Sequence, residues 1–172
     1  RVVFIANPNN PTGTWFGPDA LADFLADVPK DVLVVLDEAY IEYAEGAELP
    51  DGLKFLADHP NLLVSRTFSK AFGLASLRVG YALSSPVVAD VLNRVRQPFN
   101  VNSLALAAAC AALNDAEYVA QSRRLNEAGM QQMEDGLREL GLTWIPSKAN
   151  FIAVDLGREG ASVYEGLLRE GV

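Results

Sequence analysis

The sequence predicts an α/β fold, a mostly parallel sheet with flanking helices, followed by the start of a small α+β unit. Three observations carry this. Short apolar runs alternate with helix-period patterns through residues 1–66. The run Val32-Leu33-Val34-Val35-Leu36 is continuous and rich in β-branched residues, as strands covered on both faces are. Beyond Leu83 the pattern turns mostly helical, and strand-like runs return only near Trp144 and Phe151.

The elements follow in order. Val2 to Ala6 reads as a buried strand. Pro18 opens a helix with Leu21, Phe24, Leu25 and Val28 at i, i+3, i+4 and i+7. Val32 to Leu36 is the second strand, and a shorter helix around Asp51 to Asp58 leads to the third, Leu62 to Arg66. Two right-handed crossovers then make these three strands parallel. Val79 to Leu83 is a fourth strand with no room for a crossover helix before it, so it should run antiparallel to the third or lie away from it. Ser85-Pro86 caps a helix that turns Val87, Val91, Leu92 and Val95 inward. Asn102-Ser103 leads into a wholly apolar run, Leu104 to Leu113, which is too short to span a membrane and suits a buried helix. Asp115 starts a long helix ending at Gly141, with Met130, Met133, Leu137 and Leu140 as a core stripe. Trp144-Ile145 and Asn150 to Val154 read as strands, and a last helix runs through Val163, Leu167 and Leu168.

Composition narrows the functional classes. The 172 residues carry a net charge of −8 and a pI near 4.6, which argues against a nucleic-acid binder. Cys110 is the only cysteine, so there is neither a disulfide framework nor a cysteine metal site, and it reads as a small apolar residue in a buried helix. His59, the only histidine, sits in the turn Asp58-His59-Pro60-Asn61, away from any triad. No signal peptide or membrane span is seen, and a cytoplasmic setting is expected. Arg1 opens the chain without a methionine and enters a strand at once, and Val172 falls where a helix hands over to its next element. Both read as the ends of an internal piece of a longer protein.

Lys70 carries the most information about function. It lies in Ser65-Arg66-Thr67-Phe68-Ser69-Lys70-Ala71-Phe72-Gly73-Leu74, directly after a strand and between two phenylalanines. Lysines ordinarily sit on hydrated helix faces. A crowded, partly apolar setting lowers a lysine pKa and frees the amine for Schiff-base chemistry. In an open parallel sheet ligands bind beyond the carboxyl ends of the strands. The first strand runs into Asn7-Pro8-Asn9-Asn10-Pro11-Thr12-Gly13, the second into Asp37-Glu38-Ala39-Tyr40 and the third into Thr67-Phe68-Ser69-Lys70. Each motif alone is ordinary turn or cap chemistry, but three at one rim make a site. Pyridoxal phosphate needs a lysine, an acid at its ring nitrogen, donors to its ring oxygen, and hydroxyls with a cation at its phosphate. Lys70, Asp37, Tyr40 with Asn10, and Thr67, Ser69 with Arg78 supply these parts.

The stretches FIANPNNPTGT, VVLDEAYIEY, SRTFSKAFGLASLRVGYAL, RQPFNVNSLA and the later ANF resemble the fold-type I, class I/II aminotransferases, and within them the histidinol-phosphate aminotransferases. The resemblance covers essentially the whole chain. It implies a fold-type I PLP-transferase large domain, of which residues 1–115 form part. Residues 116–172 would supply a long connecting helix and the beginning of a small C-terminal domain. It implies that Lys70 is the cofactor-linked catalytic residue, that Asp37 pairs with the ring nitrogen and that Tyr40 and Asn10 bond the ring oxygen. Thr67, Ser69 and Arg78 would hold the phosphate, and Asn10 and Asn150 would lie near the substrate, Asn150 having a turn or cap as an equal alternative. No metal is implied. The expected reaction is PLP-dependent transamination of L-histidinol phosphate with 2-oxoglutarate, in a homodimer that engages an amino donor and a 2-oxo acid but neither nucleic acid nor membrane. The family's further phosphate-binding segment and its substrate-carboxylate arginine are not in this stretch, so the chain alone is expected to be inactive. An aromatic amino acid aminotransferase, a phosphothreonine decarboxylase, a PLP-binding sensor domain and a ligand-free structural domain are the competing readings.

Overall fold

β2 (Leu33–Asp37) is the strand around which the fold is organised. It pairs in parallel with β1 (Val2–Ala6) on one side and with β3 (Leu62–Thr67) on the other, and β3 pairs antiparallel with β4 (Gly80–Ser84). The sheet order is therefore β1-β2-β3-β4, in a computed structural model that describes residues 1–44 and 49–172. The parallel sheet and the antiparallel fourth strand are as expected. The short link between β3 and β4 leaves only the antiparallel choice.

One face of this sheet is covered by α1 (Pro18–Asp27), which starts with Pro18 in its first turn and buries Leu21 and Leu25. These two residues pack with Val34, Leu36, Leu62 and Val64 into the principal core, against which Ile5, Phe16, Phe24 and Val28 also lie. Each fully buried leucine or valine contributes roughly 1.5–3 kcal/mol of transfer free energy. This cluster is what holds the strand ends in place. A second cluster, Phe68, Val79, Ala105 and Ala109, anchors the segment after β3 against α3 (Ser103–Leu113).

Several expectations about burial fail. β1 is an edge strand, with Phe4 77% exposed, because the sheet ends there. α2 (Pro86–Val95) lies against β4, but Val87, Val91, Leu92 and Val95 are all exposed rather than inward. Pro86 does open this helix, but the Ser85 hydroxyl donates to the carbonyl of Pro60 instead of capping it. In α3 only Ala105 and Ala109 are buried; Leu104, Leu106, Leu113 and Cys110 are exposed. Asn102 does cap it, accepting from the Ala105 N–H. The segment expected as a helix over Asp51 to Asp58 is a single 3₁₀ turn, Gly52–Phe55, followed by turns. α4 (Ala116–Glu139) starts on an Asp115 cap and stops where Gly141 takes φ +69°. Its stripe is not core, since Met133 and Leu140 are exposed. β5 (Thr143–Ile145) and β6 (Ala153–Asp155) form a separate antiparallel pair, followed by α5 (Gly160–Arg169).

Candidate active site

The register of the parallel strands sets the site. Ala6 lies opposite Asp37, and Asp37 opposite Ser65, so the three carboxyl ends finish at one rim. The chain then turns off each strand in a different way.

After β1, Asn7 is buried and its side chain both donates to the carbonyl of Phe16 and accepts from the Phe16 N–H, each at 3.1 Å. Within the loop so closed, the N–H of Asn9 donates to the Thr14 carbonyl and that of Gly13 to the Asn9 carbonyl. This self-bonded loop holds Asn10, whose amide donates to the Tyr40 hydroxyl at 3.1 Å. Gly13 is in the left-handed region at φ +73°, and a Cβ there would collide with Ser147. The backbone N–H of Lys148 donates to the Gly13 carbonyl at 3.0 Å, tying the loop to the segment before β6.

After β2, Asp37 is exposed at the rim and its Oδ1 accepts from the Ala39 N–H at 3.1 Å and from the Ser65 hydroxyl at 3.4 Å. Tyr40 is 5% exposed, its ring edge-on to Phe151 with centroids 5.2 Å apart. The Lys70 ammonium lies 5.2 Å from the centroid of the same Tyr40 ring, within cation–π range. Lys70 itself is half-buried. Its loop is held from below by Phe68, which is buried and packs on Phe72 at 4.9 Å. Gly73, at φ +71°, closes the turn by donating to the Lys70 carbonyl, and a Cβ there would strike the hydroxyl of Tyr118.

Thr67 Oγ1 accepts from the Ser69 N–H at 3.0 Å, and Arg78 donates through Nη1 to the Ala75 carbonyl at 2.8 Å and to Ser69 Oγ at 3.4 Å. Arg78 is a non-glycine residue at φ +54°, a strained conformation of the kind concentrated at ligand sites. Two hydroxyls and an exposed guanidinium thus form one cluster of donors. Asn150 is exposed, and its chain neighbour Phe151, not Asn150 itself, is the residue seen against Tyr40.

A sequence model of the family described as aminotransferase class I and II matches residues 1–172. The chain belongs to the class I and II aminotransferases. Among curated members, it is 81% identical over its whole length to histidinol-phosphate aminotransferase 2 of Pseudomonas fluorescens strain Pf0-1 and 80% identical to that of Pseudomonas aeruginosa. It covers 46% and 47% of those two proteins, so it spans about half the length of the curated relatives it matches. A crystal structure of histidinol-phosphate aminotransferase from Sinorhizobium meliloti, in complex with pyridoxal-5′-phosphate, superposes with a TM-score of 0.87 at 38% identity, covering 95% of this chain and 44% of that one.

This aminotransferase chain also holds a group of residues that the motif reading passed over. Glu38, next to Asp37, is fully buried. Its Oε2 accepts from Arg66 Nε at 2.8 Å and Nη2 at 2.7 Å, and its Oε1 from the Gly52 N–H at 2.7 Å. Burial raises the Glu38 carboxyl above its usual range against the opposing pull of Gly52 and Arg66. Burial would lower the Arg66 guanidinium, but Glu38 reverses this and holds it higher. In sequence Glu38 lies inside Asp37-Glu38-Ala39-Tyr40 and Arg66 directly precedes Thr67, but charged residues at strand ends are usually solvated, so nothing local marks the two as an enclosed pair. The Phe151 contact, in contrast, joins residues far apart in sequence and had no local signal.

Proposed function

We propose that the protein carrying this chain is a pyridoxal-phosphate-dependent transaminase that acts on L-histidinol phosphate with 2-oxoglutarate, a step of histidine biosynthesis, and that this chain supplies the centre of the cofactor site. The observation that carries the reading is the meeting of Lys70, Tyr40 and Asn10 at the rim that also presents Asp37. The family membership and the names of the relatives support it.

The donor chemistry fits pyridoxal phosphate. Asp37 Oδ1 takes both of the bonds described above, so Oδ2 is the oxygen to hold a protonated ring nitrogen. Asn10 and Tyr40, already joined, present an amide and a hydroxyl to a ring oxygen. Thr67, Ser69 and Arg78 offer two hydroxyls and a cation to a phosphate. Bound pyridoxal phosphate supplies an electron sink that makes the hydrogen on the substrate's amino-bearing carbon acidic. Lys70 Nζ is the attachment point and, once free, the base that takes that proton and returns it as an acid. Tyr40, packed between Lys70 and Phe151, limits the positions the ammonium can occupy. Asn150 is assigned to the substrate side.

The same reading divides the chain into part of a large domain, residues 1–115, and a connecting helix with the start of a small domain, 116–172. It also includes a homodimer, for which sedimentation of the protein at its natural length is the check. Among the described residues no helix is long and apolar enough to cross a membrane. The functional test compares substrates on the protein at its natural length. Histidinol phosphate should show a far higher kcat/KM than phenylalanine. A preference for phenylalanine would move the assignment to an aromatic aminotransferase. Failure to develop visible absorbance on adding pyridoxal phosphate would remove the cofactor.

A further inference from the structure

We propose that Glu38 and Arg66 are positioning residues for the rim, a buried tie that sets the spacing between Asp37 on β2 and the Thr67–Lys70 segment after β3. The inference rests on the cofactor reading above and deepens it.

Side chains alternate faces along a strand, so the residue after Asp37 and the residue before Thr67 point away from the rim residues beside them. Glu38 and Arg66 meet on that far side. The backbone ladder joins the strands at the same level, since the Glu38 N–H donates to the Ser65 carbonyl at 2.9 Å. Backbone bonds alone leave the ends free to shear and twist. The side-chain tie removes that freedom with three donors on one carboxylate, two of them from a guanidinium that is only 15% exposed. The tie extends in both directions. Arg66 Nη2 also donates to Asp51 Oδ1 at 2.8 Å, and Arg66 lies opposite Tyr81 of β4 in the register. Gly52 is held so close that a Cβ would meet Leu36, Glu38 and Val64 at 2.7–2.9 Å. One buried pair therefore connects β2, β3 and the 3₁₀ turn immediately beneath Asp37 and Ser65.

A buried ion pair is weak evidence for stability, because uncharged replacements of both partners are often as stable. Here the role assigned to the pair is fixed geometry, which an uncharged replacement would not restore. That separates positioning from mere structure, and the test uses it. In the protein at its natural length, Arg66→Met strands the Glu38 carboxylate and should lower both the melting temperature and the affinity for pyridoxal phosphate. Glu38→Gln/Arg66→Met removes the stranded charge and keeps an acceptor for Gly52. It should recover most of the melting temperature while its dissociation constant for pyridoxal phosphate stays roughly tenfold or more above wild type. The pH midpoint of the bound cofactor's visible band should also move in the double variant. If affinity and band midpoint return together with stability, or if neither variant changes them, the pair does not position the rim. If wild type itself develops no band, the cofactor reading fails first and the proposal falls with it.

Discussion

Replacing Gly13 with alanine tests how the Asn10 loop is held. Gly13 is at φ +73°, where a Cβ disfavours the backbone by about 1–2 kcal/mol. The same Cβ would sit 3.0 Å from Ser147 Cα and closer still to that side chain. Ser147 cannot simply rotate away without cost, because its Oγ accepts from the Ala149 N–H at 3.1 Å. The two segments must then separate, losing the bond from the Lys148 N–H to the Gly13 carbonyl, worth about 1 kcal/mol. Gly13→Ala should therefore destabilise by about 2–3 kcal/mol in total. Denaturant unfolding of Gly13→Ala, Ser147→Gly and the double variant forms a cycle that isolates the steric share. Ser147→Gly should relieve most of the collision, leaving the 3.0 Å approach to its Cα and the backbone conformation, so the coupling should be about 1 kcal/mol and the rest should remain. Cofactor affinity should fall with stability in the single variant, since Asn10 is part of the same loop. A Gly13→Ala variant within about 0.5 kcal/mol of wild type, or a cycle with no coupling, would refute this account of the loop.

Other perturbations have equally definite outcomes. Asp37→Asn keeps the shape of the rim but would lose the charge-assisted bond proposed between Asp37 and the ring nitrogen. It should lower kcat at saturating cofactor by about 30-fold or more, corresponding to about 2 kcal/mol, and an unchanged kcat would remove Asp37 from its role. Glu42 has a buried Oε2 without a hydrogen-bond partner among the described residues, and burial pushes its carboxyl up from 4.5 to about 7. A raised folded-state pKa means that the native protein binds the proton more tightly. Its contribution to stability is present below 4.5 and lost as pH rises toward 7, on the order of 3 kcal/mol in all. Glu42→Gln should flatten the unfolding free energy across that window, and parallel pH profiles for variant and wild type would contradict the assignment. Leu36→Ala, at a fully buried position in the principal core, should destabilise by about 3–5 kcal/mol in chemical denaturation, and a loss under about 1 kcal/mol would mean the core had been misidentified.

The legible part of the fold is the part set by local pattern. β2 and β3 announce themselves as continuous apolar runs, alternate residues of which (Val34, Leu36, Leu62 and Val64) fill the principal core, and Pro18, Asn102 and Asp115 mark helix starts by chemistry that acts within one turn. The rim could be read for the same reason: parallel order follows from the crossovers, and parallel order brings the residues after β1, β2 and β3 together. Burial was less legible. A helical stripe such as Val87, Val91 and Val95 identifies an apolar face but not what lies against it, and β1 reads the same in sequence whether it is central or at an edge. The 3₁₀ turn at Gly52–Phe55 depends on Gly52 fitting against Glu38, a contact between residues fourteen apart that local propensity does not encode. Glu38 and Arg66 were hidden for a related reason. Charged residues at strand ends are usually solvated, and only the packed structure shows this pair enclosed.

The central claim is that Lys70 is the residue that takes the cofactor. Borohydride reduction of the protein at its natural length, loaded with pyridoxal phosphate, followed by peptide mass mapping, tests it directly. The label should be found on the peptide containing Lys70, and Lys70→Ala should carry none. A stoichiometric label on another lysine, such as Lys54 or Lys148, or an undiminished label in Lys70→Ala, would contradict the account.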